Sequence, residues 1–423
     1  MNETVIKFGN FTTNQINRHP VRGRKILAAV FKGYGLLTRL KGNEDDLPAR
    51  NYEMWMCNEA MAQPLNHPGN TVIVSIFTPC EVFHAMGLKV VFPEGLGCYM
   101  TASACEKVFL EKAEECGVPE TLCSYHKMLI GMAETGVLPK PLCIVNTTMA
   151  CDANQLSFRY LADYFDVPHL VLDVPTGCDR TNVNYLATQL KDMTNFIEEC
   201  SGRWLDPEKF EKCLNTANRS IENYHRILEL KATRHETTKI TYHMMDIFAL
   251  HVLLGTEEVE KFTEMMIKDL EGLPEETPGV RILWVHTIPY WQDSMIDIFN
   301  YNDDVEVVSC DMCFDNLSEI ETDRPYDSLA KQILRNTFNG SADRRIEKAT
   351  EYAKKLNVDG IIYFCHWGCK QTLGACSLAK GRFEASGIPT LTLDGDGCDT
   401  RNIQDGQMVT RVCAFLEQLE ATK

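Results

Sequence analysis

The chain has 423 residues, with 42 Lys+Arg against 59 Asp+Glu and a formal net charge of −17. Apolar residues make up 44% and charged residues 24%, the balance of a folded protein long enough for two or three domains, each with its own core. The acidic balance argues against a nucleic-acid partner, which needs clustered Lys and Arg, but it leaves room for a small anionic ligand in a local basic pocket.

No stretch approaches the ~18 apolar residues of a membrane span, and the opening MNETVIKFGN lacks the basic and apolar regions of a signal peptide. A cytoplasmic location with no membrane partner is therefore expected. Residues 1–70 form a mixed, partly helical extension, in which Lys25–Leu40 suits a helix and Asn43–Pro48 a turn. A repeating pattern starts at Thr71. Thr71–Phe77 is a short β-branched run that leads into Cys80. Pro141–Asn146 is strand-like and leads into Cys151, and Pro168–Val174 leads into Gly177 and Cys178. These runs, with the amphipathic stretch Glu106–Cys116, predict a first α/β domain over 71–184.

Strand signals then stop. Tyr185–Leu273 carries helical spacing at Ile221, Tyr224, Ile227 and Leu228, and Asp206-Pro207 is a helix cap followed by a first-position proline. An all-helical insertion is expected, closed by the linker Pro274–Gly279, so that 185–279 separates two α/β units. Cys200 and Cys213 within it read as buried core thiols. Over 280–423 the first pattern returns. Val280–His286, Val305–Ser309, Gly360–Phe364 and Pro389–Leu393 are strand-like and alternate with helical Ser341–Leu356 and Gly406–Leu419. The segment HLVLDVPTGCDRTN (169–182) also matches TLTLDGDGCDTRN (390–402) with a one-residue gap, which suggests two related units. The fold class expected is α/β, with two parallel-sheet domains facing a cleft plus a helical insertion.

The chain holds 18 cysteines, too sparse for a disulfide scaffold and unneeded as staples in a chain this long. Seven of them lie in loops that follow strands or precede helices: Cys80, Cys123, Cys151, Cys178, Cys365, Cys369 and Cys398. In parallel α/β sheets ligands gather beyond the carboxyl ends of the strands, and thiolates there need an electropositive or metal-bound setting. The residues alone leave four readings open. They are a zinc site from Cys310, Cys313, Cys365 and Cys369, a redox pair at Cys310 and Cys313, scattered core thiols, and an iron–sulfur cluster between the domains.

The motifs FTPCEVFHAMG (77–87), LCSYHKMLIG (122–131), VNTTMACDAN (145–154), HWGCKQTLGA (366–375) and DGQMVTRVCAFLE (405–417) together resemble the 2-hydroxyacyl-CoA dehydratase / benzoyl-CoA reductase family of iron–sulfur proteins. The resemblance runs from about Thr71 to Leu419. It implies two flavodoxin-like domains and a [4Fe–4S] cluster held by three cysteines, here Cys123, Cys151 and Cys369. It also implies single electrons delivered by a separate ATP-hydrolysing iron–sulfur activator. In the dehydratase branch, one electron on the thioester of a 2-hydroxyacyl-CoA gives a ketyl radical that expels the hydroxyl and makes the otherwise inert beta proton acidic. Glu81 is then the candidate carboxylate near the open iron site, as acid/base or orienting group, and a plain surface Glu is the competing reading.

Three further strand-end cysteines, Cys80, Cys365 and Cys398, bring the candidate set to six, with Cys98, Cys178 and Cys310 as spares. Six thiolates suit the double-cubane branch of the same family, in which two [4Fe–4S] units share a bridging sulfide as [Fe8S9]. The chain looks similar to that branch, which is the leading expectation and implies a low-potential reductase for small unsaturated molecules; the family assembles as unlike subunits or as a homodimer, and a homodimer is expected because one chain would supply all six thiolates. A non-catalytic electron carrier is a third possibility. His366 is a candidate hydrogen-bond or proton donor beside the cluster, and His126, Lys127, Lys370, Trp284, Trp291 and Trp367 are neighbours for which core packing or solvation competes. GLGC (95–98) and DGDGC (394–398) lack the three spaced glycines of a dinucleotide fingerprint, and no phosphate-binding loop is present. Neither NAD nor flavin is therefore expected, and ATP is left to the activator.

Overall fold

A computed structural model describes residues 3–402 and 405–423. The N-terminal extension is wholly helical: α1 (Glu3–Arg18), α2 (Pro20–Lys41) and α3 (Pro48–Asn66). Proline sits at the start of both α2 and α3, where its missing N–H has no partner to lose.

The first α/β unit follows as β1 (Thr71–Val74), α4 (Glu81–Ala85), β2 (Lys89–Val91), α5 (Pro93–Ala102), α6 (Glu106–Glu115), α7 (Ser124–Glu134), β3 (Cys143–Thr147), α8 (Asp152–Phe165) and β4 (His169–Leu172). β1 ends earlier than the run Thr71–Phe77 suggested. Ser75 and Thr78 close a turn there, with the Thr78 N–H donating to the Ser75 carbonyl at 2.9 Å and the two hydroxyls 2.8 Å apart. β2, with only three residues, is too short to show a period and escaped the sequence reading.

Four long helices come next: α9 (Arg180–Ser201), α10 (Pro207–Lys231), α11 (Thr241–His251) and α12 (Glu257–Glu271). The Asp206 carboxylate caps α10 by accepting from the Glu208 and Lys209 N–H groups, as the Asp-Pro pair foretold. The second unit comprises β5 (Val280–Val285), α13 (Asp293–Phe299), β6 (Val305–Cys310), α14 (Pro325–Arg335), α15 (Ala342–Lys355), β7 (Gly360–His366), α16 (Lys370–Ala385), β8 (Thr390–Gly395) and α17 (Asp405–Glu420).

Each unit has one four-stranded parallel sheet, ordered β2-β1-β3-β4 in the first and β6-β5-β7-β8 in the second. The shared order is flavodoxin-like. It places a topological switch point, where ligands collect, between β1 and β3 and again between β5 and β7. β4 and β8, where the matching sequence segments begin, are the same edge strand of their respective sheets. β1, β3, β5, β6 and β7 are buried along their whole length, as expected of sheets covered on both faces.

A buried ionic network ties the helical parts to the second sheet. The Arg50 guanidinium on α3 donates to Glu53, Glu236 and Asp246 at 2.7–2.9 Å. Lys231 pairs with Glu236 at 2.8 Å. The Glu236 N–H donates to Glu306 on β6, which also pairs with Arg281 on β5. No helix among the described residues is long and apolar enough to cross a membrane.

Candidate functional site

Cys123, Cys151 and Cys369 share one local construction. Each is the residue just before a helix, α7, α8 and α16 respectively, and none of these helices has a side-chain cap. Free first-turn N–H groups and the helix dipole therefore favour negative charge on the sulfurs. The Tyr125 N–H favours the Cys123 thiolate, and the Asn154 and Ala153 N–H groups favour that of Cys151.

Burial opposes ionisation more strongly. It pushes the Cys123 thiol well up, with further increments from the charges of Cys151, Cys369 and Asp396. Burial, then Glu94, with a smaller part from Cys369, raises Cys151 to about 12. The three sulfurs thus feel one another, two from the first unit and one from the second.

Two histidines touch this set with opposite polarity. The Gly397 N–H donates to His366 Nδ1 at 2.9 Å, so the ring proton sits on Nε2, which donates to Cys123 Sγ at 3.2 Å. Burial lowers the pKa of His366 and keeps it neutral, against the pull of Asp396. For His126, the Ser157 hydroxyl spends its proton on the Ala153 carbonyl and accepts from Nδ1 at 2.7 Å. Its Nε2 is then the acceptor facing Cys151 Sγ at 3.5 Å. Burial drops His126 to about 3. The Cys369 sulfur lies 3.2 Å from the Thr372 hydroxyl.

Glycines make the seam between the units. Gly368 has φ +82°, and a Cβ there would stand 2.6 Å from the Cys123 nitrogen. The backbone of the β7–α16 loop is therefore laid directly on the first cysteine. Gly97 and Gly397 confine Tyr125 in the same way, since a Cβ on either would meet its ring or hydroxyl at 2.7 or 2.2 Å. The Gly pairs of GLGC and DGDGC serve close approach of backbone to ring.

The other candidate cysteines are distributed differently. Cys398 is fully buried, and its thiol donates to the Ser124 hydroxyl at 3.2 Å, beside Cys123. Cys98 also influences Cys398. Cys80 donates to the Thr78 carbonyl at 3.2 Å and has Glu81 and Cys213 for charged neighbours. Cys365 lies against Cys376. Cys310 donates to the His286 carbonyl at 3.1 Å and lies against Cys313. Cys178 is partly exposed. Cys213 is buried, as expected of a core thiol, and donates to the Gly255 carbonyl at 3.3 Å, whereas Cys200 is only partly buried, beside Cys143. Lys127 is buried and pairs with Glu114 at 2.9 Å and Asp399 at 3.6 Å. Trp284 lies wholly in the core, Trp291 donates to the Gly397 carbonyl at 2.9 Å, and Trp367 is half-exposed.

Glu81 is buried on α4, and its Oε2 has no partner. It lines a cavity of about 60 Å³ between the units, together with Met149, Leu250, His251 and Asp315. Burial raises its carboxyl to about 7. The sequence reading missed three groups here, two lining this cavity, His251 and Asp315, and a third, Glu94, acting on His251. His251, from the helical insertion, donates to Asp315 at 3.0 Å and to the Ile247 carbonyl at 2.9 Å. Burial is the largest influence on its pKa and lowers it, but the Asp315 charge and hydrogen bond, the Ile247 carbonyl and Glu94 together raise it overall. Glu94, lifted to about 7 by burial, acts on both His251 and Cys151. The only local signal for Glu94 was an acid in the first turn of a helix.

The donor set fits an iron–sulfur cluster. Burial and neighbouring charge push the Cys123 and Cys151 thiols up, so a cationic centre is needed for the set to ionise together. Asn154, fully buried just after Cys151, leaves both side-chain polar atoms without partners, as does Nδ1 of His286, so hydrogen-bond capacity is held in reserve around the sulfurs. Among the described residues no three His, Cys, Asp or Glu side chains converge on the position of a single ion. A cubane distributes its thiolates over separate irons and does not require that convergence.

Two like-wound flavodoxin-like units closing on cysteines at uncapped helix N-termini from both sides define a two-lobed, thiol-lined enzyme. The sequence profile of the 2-hydroxyglutaryl-CoA dehydratase, D-component family matches residues 75–419, and the chain belongs to that family. It is similar to the (R)-phenyllactyl-CoA dehydratase alpha subunit of Clostridium sporogenes, 23% identical over 82% of this chain and 88% of the relative. The lactoyl-CoA dehydratase subunit alpha of Anaerotignum propionicum is 23% identical over 81% and 89%. The (R)-2-hydroxyglutaryl-CoA dehydratase subunit alpha of Acidaminococcus fermentans is 24% identical over 67% and 61%.

Proposed function

We propose that the chain is the cluster-bearing subunit of a 2-hydroxyacyl-CoA dehydratase, with one [4Fe–4S] cluster on Cys123, Cys151 and Cys369, served by an ATP-hydrolysing iron–sulfur activator. One observation carries this reading: three cysteines at uncapped helix N-termini, drawn from both units, within electrostatic reach of one another. When bound, such a cluster supplies single electrons and a Lewis-acidic iron. His366 holds a proton on Nε2 against Cys123, which favours the thiolate. His126, held neutral by burial, offers an Nε2 lone pair towards Cys151 Sγ. Tyr125 and the glycine seam exclude water. Glu81, protonated and ionised in comparable amounts near neutral pH, holds or takes a proton at Oε2 as general acid/base.

The relatives are named alpha subunits, which favours an unlike partner subunit over a homodimer. A cytoplasmic setting is part of the same reading. The second reading, a double-cubane reductase, draws on Cys398, which stands beside Cys123 through Ser124. It needs two more thiols besides, and Cys80 and Cys365 lie instead with Cys213 and Cys376.

Iron and acid-labile sulfide, measured after anaerobic purification, test the assignment. About four irons per chain are expected, with large losses in Cys123→Ser, Cys151→Ser and Cys369→Ser, and none in Cys80→Ala, Cys365→Ala or Cys398→Ala. About eight irons, with loss in the last three variants, transfers the assignment to the double cluster. Full iron in Cys369→Ser overturns both.

A further inference from the structure

Asp396 is a buried carboxylate with no cationic partner. It stands just past β8 in the DGDGC segment and is 3% exposed. Its Oδ1 accepts from the Ser124 hydroxyl at 2.5 Å and from the Cys398 and Asp399 N–H groups at 2.9 Å each. Its Oδ2 accepts from the Asn402 amide at 3.0 Å. A carboxyl ringed by four donors is held as the carboxylate, since a proton on either oxygen would have nothing to bond to. All four donors are neutral. Among the described residues the one basic group within 4 Å is His366, whose Nδ1 is 3.8 Å away. That nitrogen accepts from Gly397, so the ring offers Asp396 no charge.

Neighbouring carboxylates are compensated. Asp399 pairs with Arg401 at 2.8 Å and with Lys127 at 3.6 Å, and Asp311 pairs with Arg345 at 2.5 Å. Asp396 stands out against them, and two routes join it to the cysteine set. Ser124, whose hydroxyl it holds, is the residue after Cys123. The His366 ring spans the rest of the gap, with Nδ1 towards Asp396 and Nε2 3.2 Å from Cys123 Sγ. The charge of Asp396 is accordingly felt at Cys123, His366 and Cys398. Burial leaves little solvent or salt to screen it. A negative charge that nothing offsets opposes the arrival of an electron beside it, and local charge is one of the levers that set iron–sulfur potentials.

We propose that Asp396 holds the reduction potential of the cluster low, by fixing an uncompensated negative charge behind Cys123. It acts through Cys123 and His366 and is a positioning residue, not a catalytic one. This deepens the cluster reading, on which it rests. A thioester accepts an electron only from a strongly reducing centre, and the charge at 396 is this chain's own contribution to that reducing strength.

The test is an anaerobic potentiometric titration of the iron–sulfur absorption band, with iron counted in the same samples. Asp396→Asn keeps an acceptor for Ser124 and the two N–H groups, and the Asn402 amide can present its oxygen to the new NH2 group. Loss of the charge is expected to raise the ratio of reduced to oxidised cluster at least tenfold at a fixed poise, an upward shift of about 59 mV for one electron. Asn402→Lys, at an exposed position, keeps Asp396 and sets a cation against it. A shift of the same sign, about threefold or more, is expected there, and this variant decides the matter where Asp396→Asn does not retain iron. Ser124→Ala removes a hydrogen bond but no charge, and less than a twofold change is expected. An unmoved potential in the deciding variant overturns the assignment, as does a Ser124→Ala shift as large as that of the deciding variant. Loss of iron from both charge variants makes Asp396 a structural residue and overturns it too. An unaltered chain that binds no iron is instead a failure of the cluster reading, so the two failures are told apart.

Discussion

Gly368 joins the two units through a single missing methyl group. Its φ of +82° and the 2.6 Å approach of a Cβ to the Cys123 nitrogen act together, because a side chain here would be strained and would also push the seam apart. Gly368→Ala is expected to lose about 1–3 kcal/mol from the backbone term alone, to lower the urea midpoint, and to reduce bound iron in parallel. A variant with full iron and unchanged stability would show that the loop moves freely. Glu81 bears on pH. Burial raises its folded-state carboxyl to about 7 from an ordinary 4.5. The native state therefore holds the extra proton, and the stability it confers is complete below pH ~4.5 and lost as pH rises through about 7. A fall of about 1 kcal/mol between pH 6 and 8 is expected from this group, absent in Glu81→Gln and read from urea midpoints. The strand-end cysteines were visible in the sequence because each stands in a short loop. Which of them meet was not, since His366 reaches Cys123 from 243 positions away. Glu94 and His251 were invisible for the same reason: each is an ordinary helix residue until the chain folds.

At the scale of elements, the buried strands were legible because covered parallel strands are runs of branched apolar residues bounded by turn residues. β5, β6 and β7 follow that rule and lie close to where the runs fall. β2 broke it by brevity. The N-terminal extension was harder. α3 mixes Arg50, Glu53 and Asn58 with Met54, Met56 and Met61, all buried. Arg50 and Glu53 turn inward to ionic partners and Asn58 to the Met54 carbonyl of its own helix, so no apolar stripe marks its inner face. Helix starts were easier to place where side chains cap them, as at Asp206. At Cys123 and Cys151 the absence of a capping side chain is what leaves backbone N–H groups directed at the sulfurs.

For the molecule as a whole, the network centred on Arg50 decides how the helical parts sit on the second sheet. Its carboxylates Glu53, Glu236 and Asp246 are all buried, and removal of the cation leaves Glu53 and Asp246 without that compensation and Glu236 with Lys231 alone. Arg50→Met is expected to lower stability by about 3–5 kcal/mol, seen as a large drop in the urea midpoint, with iron content per folded chain preserved. The common strand order of the two sheets and the matching edge-strand segments describe one architectural unit used twice, and the sequence match alone hinted at this. In the proposed site the copies have diverged in what they offer: Cys123, Cys151 and His126 from one, Cys369 and His366 from the other. The confinement of Tyr125 between Gly97 and Gly397 carries a consequence for divergence. A methyl at either glycine has no space while the phenol ring remains, and a smaller residue at 125 would leave a hollow while the glycines remain. The three positions are therefore free to change only as a set, and lineages that drift at one should be found to have drifted at all.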